Sequence, residues 1–388
     1  MLKIVHTADV HAGKPLSFEL DKERGYIRRR EIETGLWRIV DFVKEENAQI
    51  LLIAGDLFEH LYARPSWVKD AALLFSTIPE TRVFISPGNH DPLLPDSLYY
   101  SVDWPGNVTV FASTGVSRVS LGAKGIEADV YGLGWPAFVQ RNPLLQGFQV
   151  KRPDRLNIVL LHGDLAEESM YLPVHSDHIA NSGADYFALG HIHVPMARNI
   201  AGSTVVYSGC PEPLGFGDEG QRGVYLVTCT GEAGGAGCIS AEFVPMALRT
   251  VRFAEVDLTG IDTGEQVRNA ILSVGNPEAR KKDMWKVALT GRLSPGIGLD
   301  LAGLRHEFID EFFSLRLMPE FVLDYDLEPL MNPENQSLEA RFVRRLMEIG
   351  QQAEQEGDTE AAVTVDRAMY YGLDALRQGE IITRRRLD

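Results

Sequence analysis

Histidine, aspartate and asparagine side chains cluster at five places along the chain, each directly after a short apolar run. The clusters are Asp9-Val10-His11, Gly55-Asp56-Leu57-Phe58, Gly88-Asn89-His90-Asp91, His162-Gly163-Asp164 and Gly190-His191-Ile192-His193. Five of the ten histidines lie in them, which random scatter would rarely produce. Imidazole, carboxylate and amide groups bind metal ions, and imidazole also transfers protons. The clusters therefore predict a metal-assisted or acid–base site.

The spacing within the clusters supports a shared site. Asp9 and His11, and likewise His191 and His193, are two residues apart, and in an extended backbone such residues point to the same side. The clusters contain no thiolate, which argues against structural zinc, whereas mixed nitrogen and oxygen ligands suit Mn²⁺ or Fe²⁺. Seven candidate ligands are too many for one ion. They suit two ions bridged by one carboxylate, an arrangement that promotes attack on phosphoryl centres.

Buried strands are predicted to carry these clusters. Short apolar runs occupy residues 2–5, 50–53, 82–85, 157–161 and 186–189. A long helix is predicted over residues 26–46, and β-meanders over 108–131 and 205–244. Alternating strands and helices indicate a layered α/β core. In such folds sites form beyond the carboxyl ends of the strands, so five segments would deliver their side chains to one edge.

Length and composition exclude several classes of protein. The 388 residues are long enough for two or three domains, and 24% of them are charged, as in ordinary globular proteins. No apolar run reaches about 18 residues, and the N-terminus lacks the apolar core of a signal peptide. Three cysteines without a C-x-x-C pair argue against a disulfide framework. We therefore expect a cytoplasmic protein that does not enter a membrane.

The ordered motifs D-x-H, G-D, G-N-H-D, H and G-H-x-H resemble those of the calcineurin-like metallophosphoesterase superfamily. The continuation Gly55-Asp56-Leu57-Phe58, followed by a small domain and a helical tail, resembles the SbcD-type DNA-repair nucleases. The resemblance implies a four-layer α-β-β-α sandwich with a small α+β cap domain and a C-terminal helical tail. The domains would be residues 1–249 (nuclease), 250–331 (capping and DNA binding) and 332–388 (partner binding).

The resemblance also implies a role for each site residue. Two divalent ions, Mn²⁺ first among the candidates, would be held and bridged by Asp9, His11, Asp56, Asn89, His162, His191 and His193. Asp9, His11 and His193 would hold the first ion, Asn89, His162 and His191 the second, and Asp56 would bridge them. His90 would contact the scissile phosphate or protonate the leaving oxygen, and Asp91 would orient His90. A hydroxide activated by the two metals would attack phosphorus.

Two positions near the motifs leave alternatives open. Some relatives carry histidine three residues after the bridging aspartate, where this chain has Glu59, with His60 next. Either the substrate contact differs or His60 compensates. Cys210 stands in a small-residue turn where the family usually has serine, and it would either pack as a small side chain or bind metal.

The net charge of −16 is unevenly distributed. Residues 301–388 hold ten basic and eighteen acidic residues, which is half of the excess. Basic residues cluster at 22–30, beside Lys14, and at 280–286, either as solvated surface or as contacts to a phosphate backbone. The tail carries apolar stripes at helical spacing over residues 342–376. These either fold back on the chain's own core or dock on a partner, which the resemblance implies is an SbcC-like coiled-coil ATPase.

The predicted function is a manganese-dependent DNA nuclease of a DNA-repair and recombination complex. It would be an exonuclease on duplex ends, with single-strand endonuclease activity as a further expectation, and a homodimer. Because the chain is acidic, DNA affinity would come mainly from the partner or from dimerisation. One alternative is a metallophosphoesterase for small phosphodiesters such as cyclic nucleotides. Another is a non-catalytic scaffold that binds DNA ends.

Overall fold

The computed structural model describes residues 1–16, 21–166, 168–230 and 239–378. They form two units, Met1–Val251 and Arg252–Asp388. The last ten residues of the predicted tail, 379–388, lie outside the described part. The predicted domain bounds, including the division at residue 331, stay predictions.

Two six-stranded sheets form the centre of the first unit. The first sheet contains, in spatial order, β12 (Ile239–Pro245), β11 (Gly223–Cys229), β1 (Leu2–Thr7), β2 (Ile50–Ile53), β3 (Arg82–Ile85) and β4 (Val108–Val110). The second contains β5 (Ser117–Ala123), β6 (Ile126–Gly132), β7 (Leu156–His162), β8 (Tyr186–Gly190), β10 (Ser203–Tyr207) and β9 (Met196–Ile200). In each sheet the four strands β1–β4, or β6, β7, β8 and β10, run parallel.

The helices of this unit are α1 (Lys22–Glu33), α2 (Gly35–Glu46), α3 (Pro65–Ser76) and α4 (Ser176–Ser182). Apolar side chains of α2 and α3 pack on one face of the first sheet, as Val40 and Phe75 do against Leu51 and Ile53. The opposite faces of the two sheets pack on each other. Ile179 of α4 packs on the outer face of the second sheet. Both sheets are thus covered on both faces, which explains their continuous apolar runs. The predicted four-layer sandwich is confirmed.

Two predictions of secondary structure were wrong. The helix predicted over residues 26–46 is two helices, because α1 ends at Thr34, whose hydroxyl donates a hydrogen bond to the Arg30 carbonyl oxygen at 2.8 Å. The stretches predicted as meanders also divide between the sheets. β4 joins the first sheet while β5 and β6 join the second, and β10 joins the second while β11 and β12 join the first.

Part of the basic run in α1 serves the fold rather than a surface. Arg28 is buried and pairs with Glu31 and Glu212, and it donates to the Pro213 carbonyl oxygen at 2.6 Å. A buried guanidinium needs such partners, since an unpaired charge in the interior is costly. This arginine is therefore not available to a phosphate backbone.

The second unit is an α+β structure. Its strands are β13 (Val251–Asp257), β14 (Met284–Thr290) and β16 (Ser314–Pro319) in one sheet, and β15 (Arg292–Leu293) with β17 (Val322–Leu323) in another. Its helices are α5 (Gly264–Leu272), α6 (Pro277–Lys282), α7 (Leu301–Glu307), α8 (Glu328–Met331), α9 (Leu338–Gln355) and α10 (Thr359–Gln378). Arg280, from the second basic run, is buried and donates to the carbonyl oxygens of Leu272, Val274 and Gly275.

The tail helices α9 and α10 pack on the core of this unit. Val343, Met369 and Leu373 belong to the same apolar cluster as Trp285 and Leu317 of the sheet. Asp374 accepts a hydrogen bond from the buried Tyr325 hydroxyl at 2.7 Å. Much of the apolar stripe therefore folds back on the chain itself. No described helix combines the length and apolar character needed to cross a bilayer.

Candidate metal centre

Strand ends of both sheets deliver the predicted ligands to one place. Asp9 and His11 follow β1, Asp56 follows β2, and Asn89 follows β3. From the second sheet, His162 is the last residue of β7, and His191 and His193 follow β8. Backbone hydrogen bonds join the loops after β1 and β2, since the amides of Asp9 and His11 donate to the carbonyl oxygens of Gly55 and Asp56 at 3.0 and 2.8 Å.

Asp56 lies between a histidine from each sheet. Its Oδ2 atom is 3.5 Å from His11 Nε2 and 3.4 Å from His162 Nε2. Two sets of ligand atoms lie within 4.8 Å of one another, namely Asp9, His11 and His193, and Asp9, Asp56 and His162. Asn89 Oδ1 lies 2.9 Å from His162 Nε2. The predicted residues are thus brought together near the Asp56 carboxylate, the predicted bridge.

Four ligand residues adopt a left-handed backbone. Asp9, His11, Asp56 and His191 have φ angles of 52°, 49°, 51° and 99°. Non-glycine residues rarely adopt this region, and such strain concentrates at functional sites. The neighbouring Gly88 is required sterically, because a Cβ there would lie 2.3 Å from Asp56 Oδ1. The loops are therefore shaped around the ligand atoms.

The buried residues Asp9, His11 and Asp56 form what we call the floor of the centre, which is rich in carboxylates. Burial raises the pKa of Asp9 to about 6, and burial together with the charges of Asp91 and Asp9 raises the pKa of Asp56 well above its usual value. Burial lowers the pKa of His11 to about 3 and that of His162 well below its usual range. His11 and His162 are therefore neutral at pH 7. A bound cation would favour the ionised form of these buried carboxyls, because its charge compensates theirs.

The ring nitrogens also fit cations. His162 Nδ1 lies 2.9 Å from the Ala54 carbonyl oxygen, an acceptor, so it carries the ring proton and leaves a lone pair on Nε2. His11 Nδ1 is 2.8 Å from Glu59 Oε1, and its Nε2 atom is buried without a hydrogen-bond partner. An orphaned lone pair directed at two carboxylates is an unfavourable interior arrangement unless a cation accepts it. The residues thus fit divalent cations on both sides of Asp56.

His191 and His193 lie toward the open side of the centre. The His191 amide donates to both carboxylate oxygens of Asp9 at 3.2 and 3.1 Å, and its ring lies 4.8 Å from that of Tyr171. His193 Nδ1 is 3.1 Å from Asp218 Oδ1. Burial alone would lower the pKa of His193, but this hydrogen bond and the nearby carboxylates raise it.

Glu59 connects a metal ligand to His90. Its Oε1 atom lies 2.8 Å from His11 Nδ1 and its Oε2 atom 2.9 Å from His90 Nδ1. Although burial would raise the pKa of Glu59, the hydrogen bonds from both histidines lower it, so the carboxylate is ionised and accepts from both rings. The His90 side chain is 42% exposed, and the contact through Nδ1 leaves Nε2 for a substrate.

The predicted role of Asp91 was wrong. Its carboxylate accepts from the backbone amides of residues 56, 57, 58 and 88 and from the Tyr99 hydroxyl, at 2.6–3.2 Å. Asp91 thus fixes the loop that carries Asp56, and Glu59 is the carboxylate on the His90 ring. The physical reason is the direction of the side chain, since Asp91 points into the turn between two loops.

Three further residues near the centre have defined surroundings in the structure. His60 lies 3.6 Å from Asp96 through Nε2, and its backbone amide donates to the His90 carbonyl oxygen at 2.8 Å. Cys210 is buried, which raises the pKa of its thiol, and Sγ lies 3.8 Å from the His193 carbonyl oxygen. It packs beside Ile32 and Leu214, and its thiol also lies within 4.8 Å of ligand atoms of His193 and Asp218. Asp218, which positions His193, was missed, because it lies outside every motif.

Comparison with known proteins gives the family. Residues 2–195 match the calcineurin-like phosphoesterase family. The chain belongs to this family. Its members are metal-dependent phosphoester hydrolases that use divalent ions, and the residues around Asp56 are the candidate ligands here. The motifs read from the sequence are therefore confirmed at the level of the superfamily.

The similarity to two relatives extends beyond residues 2–195. The chain is 28% identical over 250 residues to the uncharacterized metallophosphoesterase YhaO of Bacillus subtilis, covering 62% of this chain and 60% of that protein. It is 27% identical over 309 residues to the DNA double-strand break repair protein Mre11 of Methanopyrus kandleri, covering 70% and 62%. The chain thus spans about three fifths of these relatives. The crystal structure of TT1561 of Thermus thermophilus matches with a TM-score of 0.39 at 12% identity, covering 62% and 98%.

Proposed function

We propose that this chain is a manganese-dependent DNA nuclease that hydrolyses phosphodiester bonds. The observation that carries the proposal is the similarity to the Mre11 protein named above, which covers 309 residues and extends past the region that matches the family. The half-exposed His90 beside the carboxylate-rich floor supports a phosphodiester substrate. Mn²⁺ is favoured because the seven residues predicted as ligands are imidazoles, carboxylates and one amide.

We assign a separate set of ligands to each cation and a role in the reaction to His90. Asp9, His11, Asp56 and His193 would hold one cation, and Asp56, Asn89, His162 and His191 the other. When bound, the two cations polarise the phosphodiester and activate a water molecule for in-line attack. Glu59 holds His90 through Nδ1, so that Nε2 is the atom available to stabilise or protonate the leaving oxygen.

The proposed activity is exonucleolytic on duplex ends, with single strands as a further substrate for endonucleolytic cleavage. A decisive assay compares labelled linear duplex, circular single-stranded DNA and bis(p-nitrophenyl) phosphate, each with Mn²⁺ and with a chelator. We expect Mn²⁺-dependent cleavage of DNA that His90→Ala loses. Cleavage of the small diester alone would favour the alternative substrates, such as cyclic nucleotides. Mn²⁺-dependent DNA binding without any cleavage would favour a scaffold.

We further propose that α9 and α10 dock on an SbcC-like coiled-coil ATPase and that the nuclease acts as a homodimer in that complex. Part of the apolar stripe stays exposed although the rest is buried, notably at Val363 and Leu376, and Leu338 just before the stripe is exposed as well. Exposed apolar side chains along a helix face are typical of helix-in-groove binding. A partner that supplies basic surface would also offset the acidic tail.

The partner proposal is tested without removing the tail, because its buried face belongs to the core of the second unit. The double variant Val363→Ser and Leu376→Ser should lose co-purification with the co-expressed ATPase and keep Mn²⁺-dependent cleavage. The control, Leu73→Ser on α3, changes an exposed leucine in the first unit. Unchanged co-purification of the double variant would contradict the proposal.

A further inference from the structure

Five exposed apolar side chains occupy three loop segments beside the metal centre, two of which are joined by a backbone hydrogen bond. We call them the apolar rim: Leu61, Tyr62, Phe138, Val139 and Met170, each 43–73% exposed. Large apolar side chains on a surface are ordinary when they are scattered, but a group of them beside a polar site indicates binding. The rim has no part in holding cations or His90.

The first rim loop is continuous with the side chains around His90. Leu61 and Tyr62 follow Glu59, the carboxylate on the His90 ring, by two and three residues. The His60 amide donates to the His90 carbonyl oxygen at 2.8 Å, and the Tyr62 amide donates to the Glu59 carbonyl oxygen at 2.9 Å. These bonds fix the backbone of residues 59–62 beside that of His90.

The other part of the rim comes from loops of the second sheet, at residues 138–140 and 170–171. The Gln140 amide donates to the Met170 carbonyl oxygen at 3.0 Å, which ties residues 138–140 to residues 170–171. Tyr171 then lies against the His191 ring at 4.8 Å. The Phe138 ring lies 6.1 Å from that of His60, so the two loops meet there. The rim therefore runs past the open side of the centre.

The chemistry of the rim matches nucleobases rather than phosphate. Aromatic side chains stack on the flat faces of unpaired bases, in a way that tolerates any sequence. A basic side chain lies beside the rim. Arg141 Nη2 is 3.3 Å from Met170 Sδ, and its guanidinium can contact a backbone phosphate. Paired bases hide their faces inside the duplex and could not use these side chains.

We propose that the apolar rim stacks unpaired bases next to the scissile phosphate, so that duplex ends are cleaved where they fray and single strands are cleaved without prior opening. This rests on the proposed nuclease function and deepens it by naming the form of DNA. A base that stacks on the rim would anchor the strand while His90 and the cations act on its phosphate.

The test separates bases from backbone. It compares kcat/KM with Mn²⁺ for a labelled single-stranded oligonucleotide and for the same strand with abasic sites flanking the cleavage position. We expect the wild type to prefer the base-bearing strand by about 5- to 150-fold, the range that stacking of one base supplies. The double variant Tyr62→Ala and Phe138→Ala should lose most of that preference. Thermal unfolding checks that the variant is folded.

Control variants and a fluorescence measurement of base stacking complete the test. Tyr26→Ala and Leu73→Ala remove equally exposed side chains from α1 and α3 and should keep the preference. In metal-free protein, a strand carrying 2-aminopurine should lose fluorescence on binding, through stacking, and the double variant should show less quenching. Equal cleavage of both strands by the wild type would overturn the rim proposal and leave the nuclease proposal standing. Cleavage of bis(p-nitrophenyl) phosphate without cleavage of either strand would overturn both.

Discussion

The floor and the open side of the metal centre are built by different means. On the floor, Asp9, His11 and Asp56 are buried directly after strands, with left-handed backbones. On the open side, His90 and His193 are more exposed, and each ring is held by a carboxylate from elsewhere in the chain. The floor is thus positioned by the backbone of two sheets, whereas the open side is positioned by side-chain hydrogen bonds.

The comparison teaches which residues should affect which step. Changes on the floor should remove cations, because the floor carries the bridging carboxylate. Changes on the open side should leave the cations and slow the chemistry. Glu59 contacts both regions, through His11 and through His90, so it should affect both.

The largest effect is expected from Asp56→Ala on the floor. Loss of the bridging carboxylate should abolish binding of two Mn²⁺ ions per chain, measured by calorimetry and by metal analysis. Activity should fall about 10⁴-fold or more, since metal stabilisation of a phosphoryl transition state supplies several kcal/mol. Asp41→Asn, at an exposed carboxylate on α2, is the control. Two ions bound to the Asp56 variant would refute the bridge.

A smaller effect is expected from His90→Ala on the open side. The variant should bind two Mn²⁺ ions as the wild type does, yet lose about 100- to 1,000-fold in kcat, the usual contribution of one acid or oxyanion donor. Metal analysis and single-turnover cleavage measure the two effects separately. A near-normal rate would show that His90 takes no part in the reaction.

Glu59→Gln tests the connection between the two regions, with Asp218→Asn as its matched comparison. Both carboxylates hold the Nδ1 atom of a candidate ligand, so both changes should weaken Mn²⁺ binding about 10- to 100-fold. Only Glu59 also holds His90. A glutamine offers one acceptor oxygen where two rings need one each, so Glu59→Gln alone should lower kcat, about 10-fold, at saturating Mn²⁺.

The result for the pair would decide what Glu59 does. A wild-type kcat for Glu59→Gln at saturating Mn²⁺ would show that it acts only through the metal ligand. A fall in kcat for Asp218→Asn of the same size would show that any weakened ligand has this effect, and the distinction between floor and open side would fail.

The floor could be predicted from the sequence, but much of the open side could not. Buried strands and the ligands that follow them lie next to each other in the chain, so local patterns show both. Asp218 holds His193 across 25 residues, and Asp91 reaches the amides after β2 across 33–35. No local pattern records such contacts. Adjacency even misled the assignment, since Asp91 follows His90 yet points elsewhere.

The errors in the fold have a similar cause. The stretch from β10 to β12 shows strands and turns that any meander would show, but β10 pairs within the second sheet and β11 within the first. Which sheet a strand joins depends on distant partners. The division between α1 and α2 was also hidden, because the apolar periodicity that predicted one helix lies mainly in α2, at Leu36, Ile39, Val40 and Val43.

The smallest expected effect is on the free energy of unfolding. Measured in metal-free protein, it compares a carboxylate of the floor with one of the open side. Asp9 has a folded-state pKa of about 6, above the usual 3.8, so its buried charge opposes folding above pH 6 and this penalty disappears as the pH falls toward 4. In chelator, Asp9→Asn should therefore stabilise the protein at pH 8, by up to about 3 kcal/mol, and the gain should vanish near pH 4. Urea unfolding of both proteins at each pH measures the difference. Asp218, whose pKa is lowered by the hydrogen bond from His193 despite its burial, should show the opposite sign, so that Asp218→Asn destabilises the protein at pH 8. The same sign for both variants would mean that the floor stores no more unfavourable charge than the open side.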